Sequence, residues 1–109
     1  MNELQVFQFN QNQLRTVTKD GDPWFVAKDV CDVLGIKNIT DAIKRLEDDE
    51  RSRFNLGRQG DANIINESGL YSFILRSDKP EAKTFRKWVT SEVLPSIRKH
   101  GAYMTADVL

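Results

Sequence analysis

The feature that most constrains this chain is a change in its apolar period. Up to Val26 apolar residues alternate with polar ones. From Ala27 they recur at i, i+3, i+4 and i+7, and at Arg51 the alternation returns. A chain that switches twice between the strand and helix periods is neither all-α nor all-β. The expected class is α+β.

The first segment divides at its turn residues. "LQVFQF" sets Leu4 and Val6 against glutamines, "NQNQ" (10–13) offers a turn, and "LRTVT" is rich in β-formers. Asp20-Gly21 is a strong hairpin signal before "PWFV", which completes a three-stranded antiparallel meander. Next, Ala27, Val30, Cys31 and Leu34 share one helical face that ends at Gly35. Ile39, Ala42, Ile43 and Leu46 mark a second short helix, with Asn38 or Thr40 as its cap. The pair invites a helix-turn-helix reading. However, the turn is long and Asp41 stands where a tight version would be apolar, so a helical hairpin packed on the sheet is favoured. "RSRFNL", "GRQGD" and "ANII" form a second hairpin, and "NESGLYSFILRS" a short helix after its glycine. Trp24, Phe54, Phe85 and Trp88 are expected in the core.

The closing helix opens at "SDKPEA", with Asp78 as cap and Glu81 completing a capping box. Ala82, Phe85, Trp88, Val89 and Val93 form its apolar stripe. Lys79, Lys83, Arg86, Lys87 and Thr90 lie on the opposite arc. Pro95 cannot donate to the carbonyl of Ser91, so a kink or restart is expected there, with Leu94 driven out of the α region. Arg98, Lys99 and His100 then sit where the helix dipole favours positive charge, and Gly101 terminates the helix. The basic arc can contact phosphates; a solvated outer face would carry the same charges without a ligand.

Net charge is zero, 16 basic against 16 acidic residues, which argues against a general polyanion binder. The charge is polarised. Residues 1–50 carry six basic and ten acidic groups, and residues 76–100 carry seven and three. One cysteine and one histidine supply no metal set and no Cys/His pair, and no phosphate-binding glycine loop is present. Cys31, on an apolar face, reads as core. No cofactor and no enzymatic activity are expected. No signal peptide or membrane span is read, so a soluble, cytoplasmic protein of the host cell is expected.

"FVAKDVCDVLGIKNITDAIKRL" and "INESGLYSFILRSDKPEAKTFRKWVTSEVLPSIRKHG" resemble the BRO-N domain of phage antirepressors and of BRO proteins in large DNA viruses. The resemblance covers about residues 4–101. It implies an α+β nucleic-acid-binding domain, set here at 1–103, with 104–109 a tail or the start of a linker. The fold expected is a meander and hairpins packed with several short helices and a longer C-terminal helix kinked near Pro95. The function expected is a regulatory module that binds duplex DNA through Lys79, Lys83, Arg86, Lys87, Arg98 and Lys99. Arg51, Arg53 and Arg58, on or beside the second hairpin, are second-rank candidates for base or phosphate contact, and would equally serve as a solvated face or as partners for the preceding acidic run. The alternative is a protein-interaction module that captures a phage repressor without touching DNA. A homo-oligomer is compatible with either.

Overall fold

The computed structural model describes residues 3–102, and the side chains of residues 4–99. The expected 104–109 tail lies outside the described residues. Five strands form one antiparallel sheet: β1 (Glu3–Phe9), β2 (Asn12–Lys19), β3 (Asp22–Val26), β4 (Arg51–Asn55) and β5 (Asp61–Asn66), in the order β1-β2-β3-β5-β4. The meander turns where expected. Asn10 takes φ 55°, and Asp20 and Gly21 take φ 54° and 84°. Positive φ at these positions lets a two-residue loop follow the right-handed twist of its strands.

Among the described residues, five α-helices accompany the sheet: α1 (Ala27–Leu34), α2 (Ile39–Lys44), α3 (Glu67–Arg76), α4 (Glu81–Trp88) and α5 (Leu94–Ala102). The core lies between them and one sheet face, where Phe9, Leu14, Phe25 and Ile65 meet Val30, Leu34, Phe73, Phe85 and Val93. The α+β class is therefore observed. The first strand has the expected period and the opposite phase. Phe7 and Phe9 face the helices, whereas Leu4 and Val6 are 43% and 51% exposed on the other face. Two phenylalanines bury more apolar surface than Leu4 and Val6, and they decide which side turns inward. Phe85 is buried, but Trp24, Phe54 and Trp88 are only half-buried. Trp24 and Phe54 share the outer face with Val17 and Ile64.

Local chemistry sets the helix ends. Gly35 ends α1 at φ 71°, with its N–H bonded to the Cys31 carbonyl. Asn38 is the cap of α2, its side chain accepting from Asp41 N–H. Asn66 caps α3, which starts before Gly69 rather than after it. A Cβ at Gly69 would stand 3.0 Å from the Glu50 carbonyl oxygen and 3.2 Å from Ile65 Cβ, so close approach explains this glycine. The expected Asp78 cap is absent. Ser77 instead accepts from Lys79 N–H and donates to the Leu34 carbonyl, tying the loop to the end of α1.

The closing helix passes Pro95 by way of a π-helical turn at Val89–Val93. Leu94 N–H reaches back to Val89, and Leu94 itself stays in the α region at φ −63°, ψ −43°, contrary to expectation. The widened turn moves the proline ring off the carbonyl it would otherwise strike, which removes the reason for Leu94 to leave the α region. The Thr90 and Ser91 hydroxyls donate to the Arg86 and Lys87 carbonyls beside the slip. The helix then runs through Gly101 to Ala102.

Candidate nucleic-acid interface

The π-turn decides which residues share a face. On an unbroken α-helix, at about 100° per residue, Leu94 would stand about 180° from Phe85. Yet Leu94 and Phe85 are 1% and 0% exposed. A slip of one residue, again about 100°, brings Leu94 to within about 40° of Val89 and Ile97 to within about 20° of Phe85. The same slip acts on the charged side. Lys99, which an unbroken helix would place about 20° from Trp88, comes to within about 20° of Lys87, and Arg98 to within about 20° of Arg86. Arg98 would fall about 20° from Lys87 even on an unbroken helix, so the slip adds Lys99 to one stripe: Lys83, Arg86 and Lys87, then Arg98 and Lys99, all exposed.

Contacts agree with this phasing. The positive charges of Arg86 and Arg98 both act on Tyr71 of α3. Tyr71 donates to Glu67 at 3.0 Å, and Arg98 binds the other Glu67 oxygen at 3.1 Å. Burial, then the hydrogen bond to Glu67, push the Tyr71 hydroxyl above its ordinary pKa. Between α3 and the closing helix lies an open groove of about 450 Å³, lined by Tyr71, Ile74, Leu75, Arg86 and Thr90. Leu75 at its lip is 86% exposed. Lys79 lies in the loop before α4, with its methylenes over Gly35.

The hairpin arginines are not equivalent. Arg51 is held by the protein, donating to the Ile43 carbonyl at 3.0 Å and to Asp48 at 2.7 Å. It serves the acidic run that precedes it. Arg53 is exposed and leans on Asn63 and Asp61. Arg58 is exposed in the β4–β5 turn. The structure does not merge these three with the helical stripe: Arg51 and Arg53 lie on edge strand β4, at the opposite side of the sheet from β1, whose Phe7 and Phe9 pack on Trp88 of α4. Tyr71 and Glu67 were missed in the sequence. Their i, i+4 spacing was visible, but the contact with Arg98 joins residues 31 apart. Cys31 is fully buried, and that burial, helped by Asp32, pushes its thiol up to about 12, which keeps it protonated at neutral pH.

The family model described as "BRO family, N-terminal domain" matches residues 13–95. The chain belongs to the BRO family. A Bro-N domain-containing protein of Invertebrate iridescent virus 6 is 36% identical over 115 residues, covering 85% of this chain and 28% of that protein. An uncharacterized protein of Haemophilus influenzae is 37% identical over 109 residues, covering 94% of this chain and 54% of its own length. A Bro-N domain-containing protein of Invertebrate iridescent virus 3 is 32% identical over 108 residues, covering 75% of this chain and 27% of that protein. The chain thus spans between about a quarter and about a half of the length of these relatives. No solved structure matches. The Bro-N match contains Lys79, Lys83, Arg86, Lys87 and the π-turn; β1, Arg98 and Lys99 lie outside it. Among the described residues, no helix is long and apolar enough to cross a membrane.

Proposed function

We propose that this Bro-N domain is a DNA-binding module of an antirepressor-type viral or prophage regulator, acting without catalysis in the host cytoplasm. The observation that carries the reading is the stripe. One slip in one helix seats Leu94 and Ile97 in the core and sets Arg98 and Lys99 in line with Arg86 and Lys87. Lys83, Arg86, Lys87 and Lys99 would supply phosphate contacts, with Lys79 at the start of the stripe. Arg98 joins them by exchanging Glu67 for a phosphate oxygen. Arg53 and Arg58 remain candidates for a second contact. Arg51, already bonded twice, positions the hairpin.

The test is a duplex-DNA titration at several salt concentrations. Replacing Lys83, Arg86 and Lys87 with glutamine should weaken binding and reduce the slope of log K against log salt by roughly 0.9 per lost contact. The fold should survive, because Ala82, Phe85 and Val89 occupy the opposite face. Wild-type protein that shows no salt-dependent DNA binding would defeat the proposal. The second reading, capture of a repressor protein, is favoured by exposed Leu75 at the lip of the Tyr71–Ile74 groove. It would be supported by repressor pull-down that Leu75→Asp abolishes and the triple glutamine variant retains.

A further inference from the structure

The two edges of the sheet are unlike. β4 is short and carries Arg51 and Arg53, both engaged in ion pairs. Charged side chains of this kind protect an edge from pairing with another chain. β1 has seven residues, contains no lysine, arginine or proline, and is uncharged from Leu4 to Phe9. Its outer edge is unpaired among the described residues.

The register shows which groups that edge offers. A two-residue turn makes Phe9–Asn12 the hydrogen-bonded closing pair, so the alternation leaves Leu4, Val6 and Gln8 with N–H and C=O pointing outward. A contact on β2 confirms the phase: Arg15, opposite Val6, turns its N–H away from β1, to Asp29 at 2.9 Å. Leu4 and Val6 are also two of the three most exposed large apolar residues described. On the other face of the same edge, half-buried Phe7 stands edge-on to half-buried Trp88, their centroids 6.4 Å apart. The edge is therefore apolar above and below and has unpaired backbone between.

We propose that β1 is a homodimer interface, in which β1 of a second copy pairs with it antiparallel across a two-fold axis. Placing Leu4 opposite Val6 of the other copy joins residues whose backbone groups both point outward, and each such pair exchanges both hydrogen bonds. Glu3 then faces Phe7 of the other copy, so no like charges oppose each other. A strand uncharged from Leu4 to Phe9, with its one charge set against an apolar residue, is complementary to itself, as an isologous contact requires. A single pair of strands buries less than the roughly 1,200 Å² of a stable interface, so the dimer is weak and concentration-dependent. This inference goes beyond DNA binding and does not depend on it. Because Trp88 also packs on Phe9, at 5.0 Å, the two-fold would bring both α4 helices to the same side of one continuous sheet.

Sedimentation of the full chain without DNA, from low micromolar to millimolar protein, tests it. Wild type should pass from monomer to dimer mass. Val6→Lys sets lysine beside an apolar partner and should weaken association at least about tenfold, about 1.4 kcal/mol. Leu75→Lys, on a still more exposed leucine elsewhere, should leave it unchanged. Should Val6→Lys fail to fold, the Val6 amide of the wild type gives the answer, since its hydrogen exchange should slow as concentration rises. A monomer at every concentration, a folded Val6→Lys that dimerises like wild type, or a Val6 amide indifferent to concentration would each overturn the proposal.

Discussion

Pro95→Ala is the obvious way to straighten the closing helix, and packing argues that it will not. A straight helix would rotate everything beyond the slip by about 100° and carry Leu94 and Ile97, 1% and 2% exposed, out of the core. Exposing two such side chains costs about 1.5–3 kcal/mol each. The alanine offers at most one recovered hydrogen bond, about 1 kcal/mol. The π-turn should therefore persist, with stability changed by no more than about 1 kcal/mol. Deleting Ser91, an exposed residue inside the turn, removes the slip in a different way. The helix can then be α throughout, with Phe85, Val89, Leu94 and Ile97 still on one face. Pro95 would now lie in a helix interior, where it costs about 3 kcal/mol. In the Ser91-deleted background Pro95→Ala should thus recover about 3 kcal/mol, a coupling visible as about 12 °C in Tm at this chain length. Thermal and urea unfolding of the four proteins closes the cycle, and NMR of the helical amides reports the hydrogen-bond register. Additive effects, or a straight α-helix in Pro95→Ala alone, would show that proline and not packing holds the slip.

Further outcomes follow from single contacts. Asp29, 2% exposed, accepts from Arg15 N, Nε and Nη2 at 2.8–2.9 Å. Asp29→Ala should cost about 3 kcal/mol by urea unfolding, the low end for a broken buried pair, since Arg15 keeps Gln59 and some solvent; a loss under about 1 kcal/mol would contradict the assignment. Gly69→Ala, which in an open helix would gain up to about 1 kcal/mol, should destabilise here because of the Glu50 carbonyl, and a raised Tm would refute this. Glu50 is held below its ordinary pKa of 4.5 by the Ser68 hydroxyl and then by Glu47 N–H. Its contribution is present above about pH 4.5 and is lost as pH falls through the lower folded value. The Tm gap between wild type and Glu50→Gln should be constant near neutrality and close on acidification; a gap unchanged into strong acid would contradict it.

The sequence showed the order of elements because each carries a local signal. Asp20-Gly21 turns a hairpin, Gly35 and Asn38 bound helices, and the apolar period separates strand from helix. It was silent wherever two elements had to compete for the same side. Leu4-Val6 and Phe7-Phe9 have the same period, and only the aromatic partners Phe85 and Trp88, far along the chain, select Phe7 and Phe9 for the interior. For Arg51 the acidic run beside it is a legible partner, and Asp48 takes that place, but the Ile43 carbonyl that holds its other nitrogen is set only by the fold.

The π-turn had a signal in the sequence that went unused. Val93 continues the stripe of Ala82, Phe85 and Val89 at the α period, whereas Leu94 falls about 180° from Phe85 and leaves it. Apolar residues that jump phase by about one residue, just before a proline, mark a slip in register and not the end of an amphipathic face. Correcting that phase also brings Lys99 into the basic stripe, because both faces of a helix rotate together. The alignment of Lys99 with Lys87 was therefore hidden by the same slip that hid Leu94 as part of the core. Lys83, Arg86, Lys87 and Arg98 already share a face at the plain α period, whereas Lys99 stays beside Trp88 until Leu94 and Ile97 have been seated.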